Sequence, residues 1–121
     1  MFSKKMEYGY IILKKLKNTT DNKVLSGKEI LENTQIPYNM GLSILTELSS
    51  AGLLISTKGK NGGFILHKET VYLLDLFIAL EANKKNISVS QLDRVQSNKE
   101  YHKKLQKIGA VILNELAKTQ I

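Results

Sequence analysis

The chain has 121 residues, a mass of 13.6 kDa and 42% hydrophobic content, the size of one domain with a modest core. It contains no cysteine, which removes disulfides, thiolate zinc sites, cysteine-held iron–sulfur clusters and thiol nucleophiles together. The net charge of +7 and pI near 9.6 suit a polyanionic partner, or simply a soluble basic protein.

The first apolar stretch, Tyr8 to Leu13, stops at Lys14-Lys15. It is too short for a secretory core and no small-residue cleavage site follows, so the expected location is cytoplasmic. Tyr8, Ile12, Leu13 and Leu16 share helical spacing and predict a helix over Tyr8 to Leu16. After a polar loop, Ser26-Gly27-Lys28-Glu29 reads as a capping box, in which the Ser oxygen takes one free N–H and Glu29 reaches back to another. A short helix from Gly27 to Asn33 follows, burying Ile30 and Leu31. Pro37 opens the next helix, where its missing N–H goes unnoticed. That helix runs to Ser50, and Gly52 supplies a left-handed exit. Two short helices joined by a turn make a helix-turn-helix, a motif also found in proteins that touch no nucleic acid.

In the second of these helices Ile44, Leu45 and Leu48 form the buried side, and the opposite face carries Asn39, Ser43, Thr46 and Ser50. Short uncharged hydrogen-bonding side chains let a helix approach base edges in a major groove, where Asn pairs bidentately with adenine. The bland reading is a solvated face that happens to be rich in Ser and Thr.

Leu53 to Thr57 and Phe64 to His67 have strand composition, joined by Lys58-Gly59-Lys60-Asn61-Gly62-Gly63. Asn-Gly predicts a turn with positive φ, and the second glycine suits a bulge or a close backbone approach. A hairpin directly after a recognition helix is a wing, here tipped with lysines. Val71 to Glu81 is almost continuously apolar and reads as one buried helix. The polar stretch from Ala82 to Ser97 holds at most a helical turn around Ser90 to Val95.

Ser97-Asn98-Lys99-Glu100 is a second capping box. It starts a long helix with Tyr101, Leu105, Ile108, Ile112 and Leu116 on one stripe beside Lys103, Lys104 and Lys107. The stripe fits a partner helix, most simply a second copy; packing on its own domain is the alternative. No nucleophile–base pair stands out, His67 and His102 are isolated, and the Gly-Gly pair opens no helix and so makes no phosphate loop. An enzyme is not indicated, nor is a metal or cofactor. The expected fold is mainly α with a small β-hairpin: a winged helix-turn-helix over 1–82, a connecting segment over 83–97 and a dimerisation helix over 98–121.

These motifs resemble the bacterial winged-helix transcriptional repressors that include IscR, NsrR and CymR. The resemblance rests on Ser3 and Lys5 before Tyr8, on Ala51-Gly52-Leu53, on Ser56-Thr57-Lys58-Gly59-Lys60-Asn61-Gly62-Gly63-Phe64-Ile65-Leu66, and on Leu73-Leu74-Asp75-Leu76 leading to Ala79-Leu80-Glu81. It implies a homodimer on a pseudo-palindromic operator in double-stranded DNA. Tyr38, Asn39, Ser43 and Thr46 would then read bases, and Lys58, Lys60 and Asn61, with Gly62 and Gly63, would contact the minor groove or its phosphates. Ser3, Lys4, Lys5, Tyr8 and Lys28 would hold the backbone. The chain departs from the pattern in three ways. Lys58 replaces a wing arginine, which fits a narrow minor groove better. Gly41 replaces a core leucine, and a mid-helix glycine costs about 1 kcal/mol relative to Ala. The cysteines of the cluster-binding relatives are missing. A winged protein-interaction module with weak or nonspecific DNA binding is the alternative function.

Overall fold

The computed structural model describes residues 3–19, 23–82 and 99–121. Helix α1 (Lys4–Lys17) begins at Ser3, whose hydroxyl accepts the Met6 N–H at 3.3 Å. Glu7 in its first turn and Lys14, Lys15 and Lys17 in its last complement the helix dipole. The helix thus starts four residues before Tyr8, because a Ser cap precedes the apolar periodicity.

Helix α2 (Gly27–Leu31) carries the expected capping box: Ser26 Oγ accepts from Glu29 N–H at 3.1 Å, and Glu29 Oε1 accepts from Ser26 N–H at 3.2 Å. The Ser26 backbone and hydroxyl hold the Glu29 carboxyl below the usual carboxylate range. The folded-state value is the depressed one, so the carboxylate's share of the cap is complete above the ordinary range and is lost as pH falls through the depressed value, while the bond from Glu29 N–H to Ser26 Oγ does not titrate. Ser26→Ala is expected to lower the unfolding free energy by about 1 kcal/mol, measured as a shift in urea midpoint at neutral pH.

At the other end of α2, Lys15 Nζ donates to the carbonyls of Glu29, Ile30 and Glu32 at 2.9–3.0 Å, satisfying oxygens that have no helical partner. The chain then turns through Asn33, at φ 61°, into helix α3 (Tyr38–Ser50), with Pro37 in the capping position. Helix α3 ends in a Schellman motif: Leu53 N–H donates to Leu48 O and Gly52 N–H to Ser49 O, both at 3.0 Å, with Gly52 at φ 82°. Its buried side is Gly41, Ile44, Leu45 and Leu48. The glycine at 41 is a packing feature. A Cβ there would lie 2.5 and 2.6 Å from the Leu31 methyl carbons, so Leu31 occupies the space a larger side chain at 41 would need.

Strands β1 (Leu54–Thr57) and β2 (Gly63–Leu66) pair antiparallel, with Ile55 opposite Ile65 and Thr57 opposite Gly63. The positive φ of the turn falls on Gly59, at 106°, rather than on Asn61-Gly62 as the dipeptide suggested. Phe64 also bridges Leu25: Phe64 N–H donates to Leu25 O at 2.7 Å, and Leu25 N–H to Phe64 O at 3.1 Å. The wing is thereby tied to the segment that leads into α2.

The apolar run after the wing is not one regular helix. Val71 is outside any regular element, Tyr72 is extended and bridges Gln120, α4 covers Leu73–Phe77, and a π-helical turn covers Ile78–Ala82. Asp75 accepts the Tyr72 N–H at 2.8 Å and so caps α4. Helix α5 (Lys99–Lys118) packs on α4 and returns the chain to its base, where Leu73 N–H meets Thr119 O at 2.8 Å and Ile121 N–H meets Val71 O at 2.9 Å. Ile12, Leu13, Ile30, Ile44, Leu45, Leu48, Leu76 and Leu80 are essentially inaccessible and form the centre of the core. Leu116 and Ile121 join the same cluster. The helical turn expected near 90–95 and the Ser97-Asn98 half of the second capping box lie outside the described residues.

Candidate nucleic-acid interface

Helix α3 presents a face free of cations and, in its first turn, of any charge. Asn39, Ser43, Thr46 and Ser50 are exposed on it, as the wheel predicts. Tyr38, at 54% exposure, stands at the helix start. Thr46 Oγ1 donates to Leu42 O at 3.0 Å, which commits its hydroxyl proton to the helix backbone while the residue stays exposed. Sequence reasoning passed over Met40, which is 43% exposed beside Asn39. A wheel that sorts residues into apolar-in and polar-out assigns any methionine to the core.

The acidic group of α3 is Glu47, and α1 neutralises it. Lys5 Nζ lies 2.7 Å from Glu47 Oε1 and 2.6 Å from Oε2, with the lysine side chain 17% exposed. Lys5 is therefore held against α3, and it neutralises the acidic charge of that helix, which would repel phosphate. Nothing local in the sequence announces this pair, since the partners are 42 residues apart.

The other residues proposed for the backbone differ in availability. Ser3 caps α1, and its hydroxyl donates to the buried carboxylate of Glu81. Lys4 is exposed, 3.1 Å from Glu7 and 5.8 Å above the Tyr8 ring. The Glu7 carboxylate, through its hydrogen bond and charge, holds the Lys4 ammonium above its ordinary value. Tyr8 is half-buried, and Lys28 stands exposed on α2.

At the wing tip Lys58, Lys60 and Asn61 are exposed. Among the described residues no carboxylate pairs with either lysine. Gly62 is half-buried, and Gly63 is buried with its backbone against that of Leu25. The contribution of Gly63 is to seat the wing.

The stripe on α5 divides. Ile108 and Val111 are each 57% exposed and Ile112 is half-buried, whereas Leu116 is 7% exposed within the chain's own core. The end of α5 packs on its own domain, and its middle leaves an apolar strip exposed. The side chains of Tyr101 and Leu105 lie outside the described residues. No group of three His, Asp or Glu among the described residues is placed to hold a metal ion, and no described helix is long and apolar enough to cross a membrane.

A family model described as Rrf2, iron-dependent transcriptional regulator, matches residues 2–121. An HTH-type transcriptional regulator by name, YffB of Lactococcus lactis, is 32% identical over 77 residues, covering 62% of this chain and 49% of the relative. The match therefore spans about half the length of that curated relative. Among solved structures, CymR of B. subtilis, titled the global cysteine regulator, aligns at TM-score 0.77 with 22% identity, over 99% of this chain and 92% of that one. IscR of T. potens aligns at 0.71 with 24% identity, over 98% and 80%. CymR of Staphylococcus aureus aligns at 0.73 with 20% identity, over 98% and 92%. These likenesses establish the winged-helix fold.

Proposed function

The chain belongs to the Rrf2 family of DNA-binding transcriptional regulators, and from that premise we propose that it is a cytoplasmic homodimer that represses transcription by occupying a pseudo-palindromic operator. The observation that carries this reading is the uncharged exposed face of α3 followed at once by a lysine-tipped hairpin. The face suits base edges and the tip suits phosphates. In a dimer two copies of α3 enter major grooves about 34 Å apart. Asn39, Ser43 and Thr46, with Tyr38, read bases; Lys58, Lys60 and Asn61 hold the minor groove or its phosphates; and Lys4 and Lys28 add charge along the backbone.

The regulator works without an iron–sulfur cluster. Such clusters are held chiefly by cysteine thiolates, and the sequence has none. Iron dependence, in the family's description, therefore does not reach this chain through a thiolate site.

The test is binding of the purified protein to its own upstream DNA against scrambled duplex, titrated with salt. Preference for the upstream sequence is expected, and equal affinity for both would refute a sequence-specific repressor. Within that assay Lys58→Ala is expected to weaken binding on all sequences and flatten the salt slope by about 1. Asn39→Ala should instead reduce discrimination at one base pair by about 1–3 kcal/mol. Equal losses on every duplex for both variants would contradict this division of labour. A second reading, a winged module that docks an acidic protein, draws on Lys58 standing where relatives carry arginine. It predicts low-salt binding to random duplex with no gain from any operator.

A further inference from the structure

The exposed surface of α3 can be compared, donor by donor, with what each base pair displays in a major groove. Guanine shows two acceptors, N7 and O6, and is most often met by the paired donors of Arg or Lys. Helix α3 contains neither, and the chain's one arginine, Arg94, lies far from it in sequence. Lys5, the cation packed against α3, is turned to Glu47. Adenine shows one donor and one acceptor, the complement of an Asn amide, and Asn39 is exposed in the first turn of α3.

Thr46 and Met40 continue that pattern, whereas the exposed hydroxyls of Tyr38, Ser43 and Ser50 donate or accept and so fit either kind of pair. The Thr46 hydroxyl proton is directed to Leu42 O, so towards a base the side chain offers a methyl and acceptor lone pairs. An acceptor repels both guanine groups and accepts from an adenine or a cytosine amino group alike, so the choice between them rests on the methyl and on Asn39. Met40 is 43% exposed and takes no part in the buried side of α3. By the helical step it lies next to Ser43 along the edge that Glu47 shares. A polarisable, unbranched thioether fits an irregular apolar surface, and the apolar feature in a major groove is the C5-methyl of thymine.

We propose that α3 is an A·T reader: Asn39 takes an adenine edge while Met40 and the Thr46 methyl lie against thymine methyl groups, so the base pairs beneath α3 are A·T. This rests on the reading of the chain as a sequence-specific DNA-binding dimer and names the sequence class that such a dimer selects.

The experiment is selection from a randomised duplex library with the wild-type protein, followed by replacement of single thymines by deoxyuridine, which deletes only the C5-methyl. A·T pairs are expected at the positions α3 protects. Uracil at a contacted thymine should weaken wild-type binding roughly fourfold, the worth of one buried carbon group. In Met40→Ala the thymine-to-uracil ratio at one position of each half-site should fall towards one, with the other positions unchanged. Met40 is exposed, so the variant keeps the core intact. Conserved G·C pairs beneath α3, or a wild-type protein indifferent to uracil, would overturn the assignment and leave the regulator reading standing. No enrichment of any sequence would overturn both.

Discussion

Gly63→Ala is expected to unseat the wing, lowering the unfolding free energy by about 3 kcal/mol and abolishing specific DNA binding. A Cβ at 63 would sit 2.2 Å from Leu25 O, 2.5 Å from Leu25 C and 2.8 Å from Ser26 N. All three are backbone atoms, so no side chain can rotate away. The carbonyl in the way is also the acceptor for Phe64 N–H at 2.7 Å, and relief of the clash must stretch that bond. Against a total stability of about 5–15 kcal/mol for an ordinary domain, such a loss is large. It would be read as a fall in urea midpoint and as faster proteolysis within residues 54–66. A wild-type midpoint with wild-type DNA affinity would mean that the backbone at Leu25 can yield.

The same site shows how far the sequence speaks for itself. The paired glycines, the lysines around them and the apolar runs on either side identify a hairpin, because turn chemistry is local. The partner that makes the second glycine obligatory, Leu25, contributes a single bridging residue and no strand pattern of its own. Local signals elsewhere were equally legible: the Ser26 box, the proline before α3 and the glycine after it all act within a few residues of themselves.

Long-range pairings were not legible. The sequence does not show that Ser3 caps α1 and meets Glu81, or that Lys5 pairs with Glu47. Lys15 shows no local sign of capping α2. The π-helical turn at Ile78–Ala82 is hidden within a run so uniformly apolar that no period distinguishes α from π. For the candidate interface, the polar residues of α3 were legible from the wheel. Met40 was not, because a methionine at the side of a helix carries no local sign that distinguishes 43% exposure from burial.

Replacing Ile108 and Val111 together by glutamine is expected to convert the proposed dimer to a monomer and to weaken operator binding by more than about 100-fold. Both side chains are 57% exposed on α5, one helical turn apart and beside half-buried Ile112, so they form one strip. Exposed isoleucine and valine in the middle of a helix whose end is already packed form an apolar strip that a second copy can cover. Joined across a two-fold axis, they would bury an isologous seam. Glutamine keeps helix propensity and adds no charge, so α5 itself should persist, and the salt slope of DNA binding should fall only through loss of the second half-site. Leu116 and Ile121, which anchor α5 to its own domain, are untouched, and the unfolding transition of the monomer should survive. The effect on DNA is large because the second half-site is bound intramolecularly in a dimer, a gain of about 10²–10⁴ that vanishes when the copies separate. Sedimentation and operator titration on the same sample decide the matter. A variant that stays dimeric would place the seam elsewhere, and a monomer that keeps full operator affinity would mean that one copy reads the whole site.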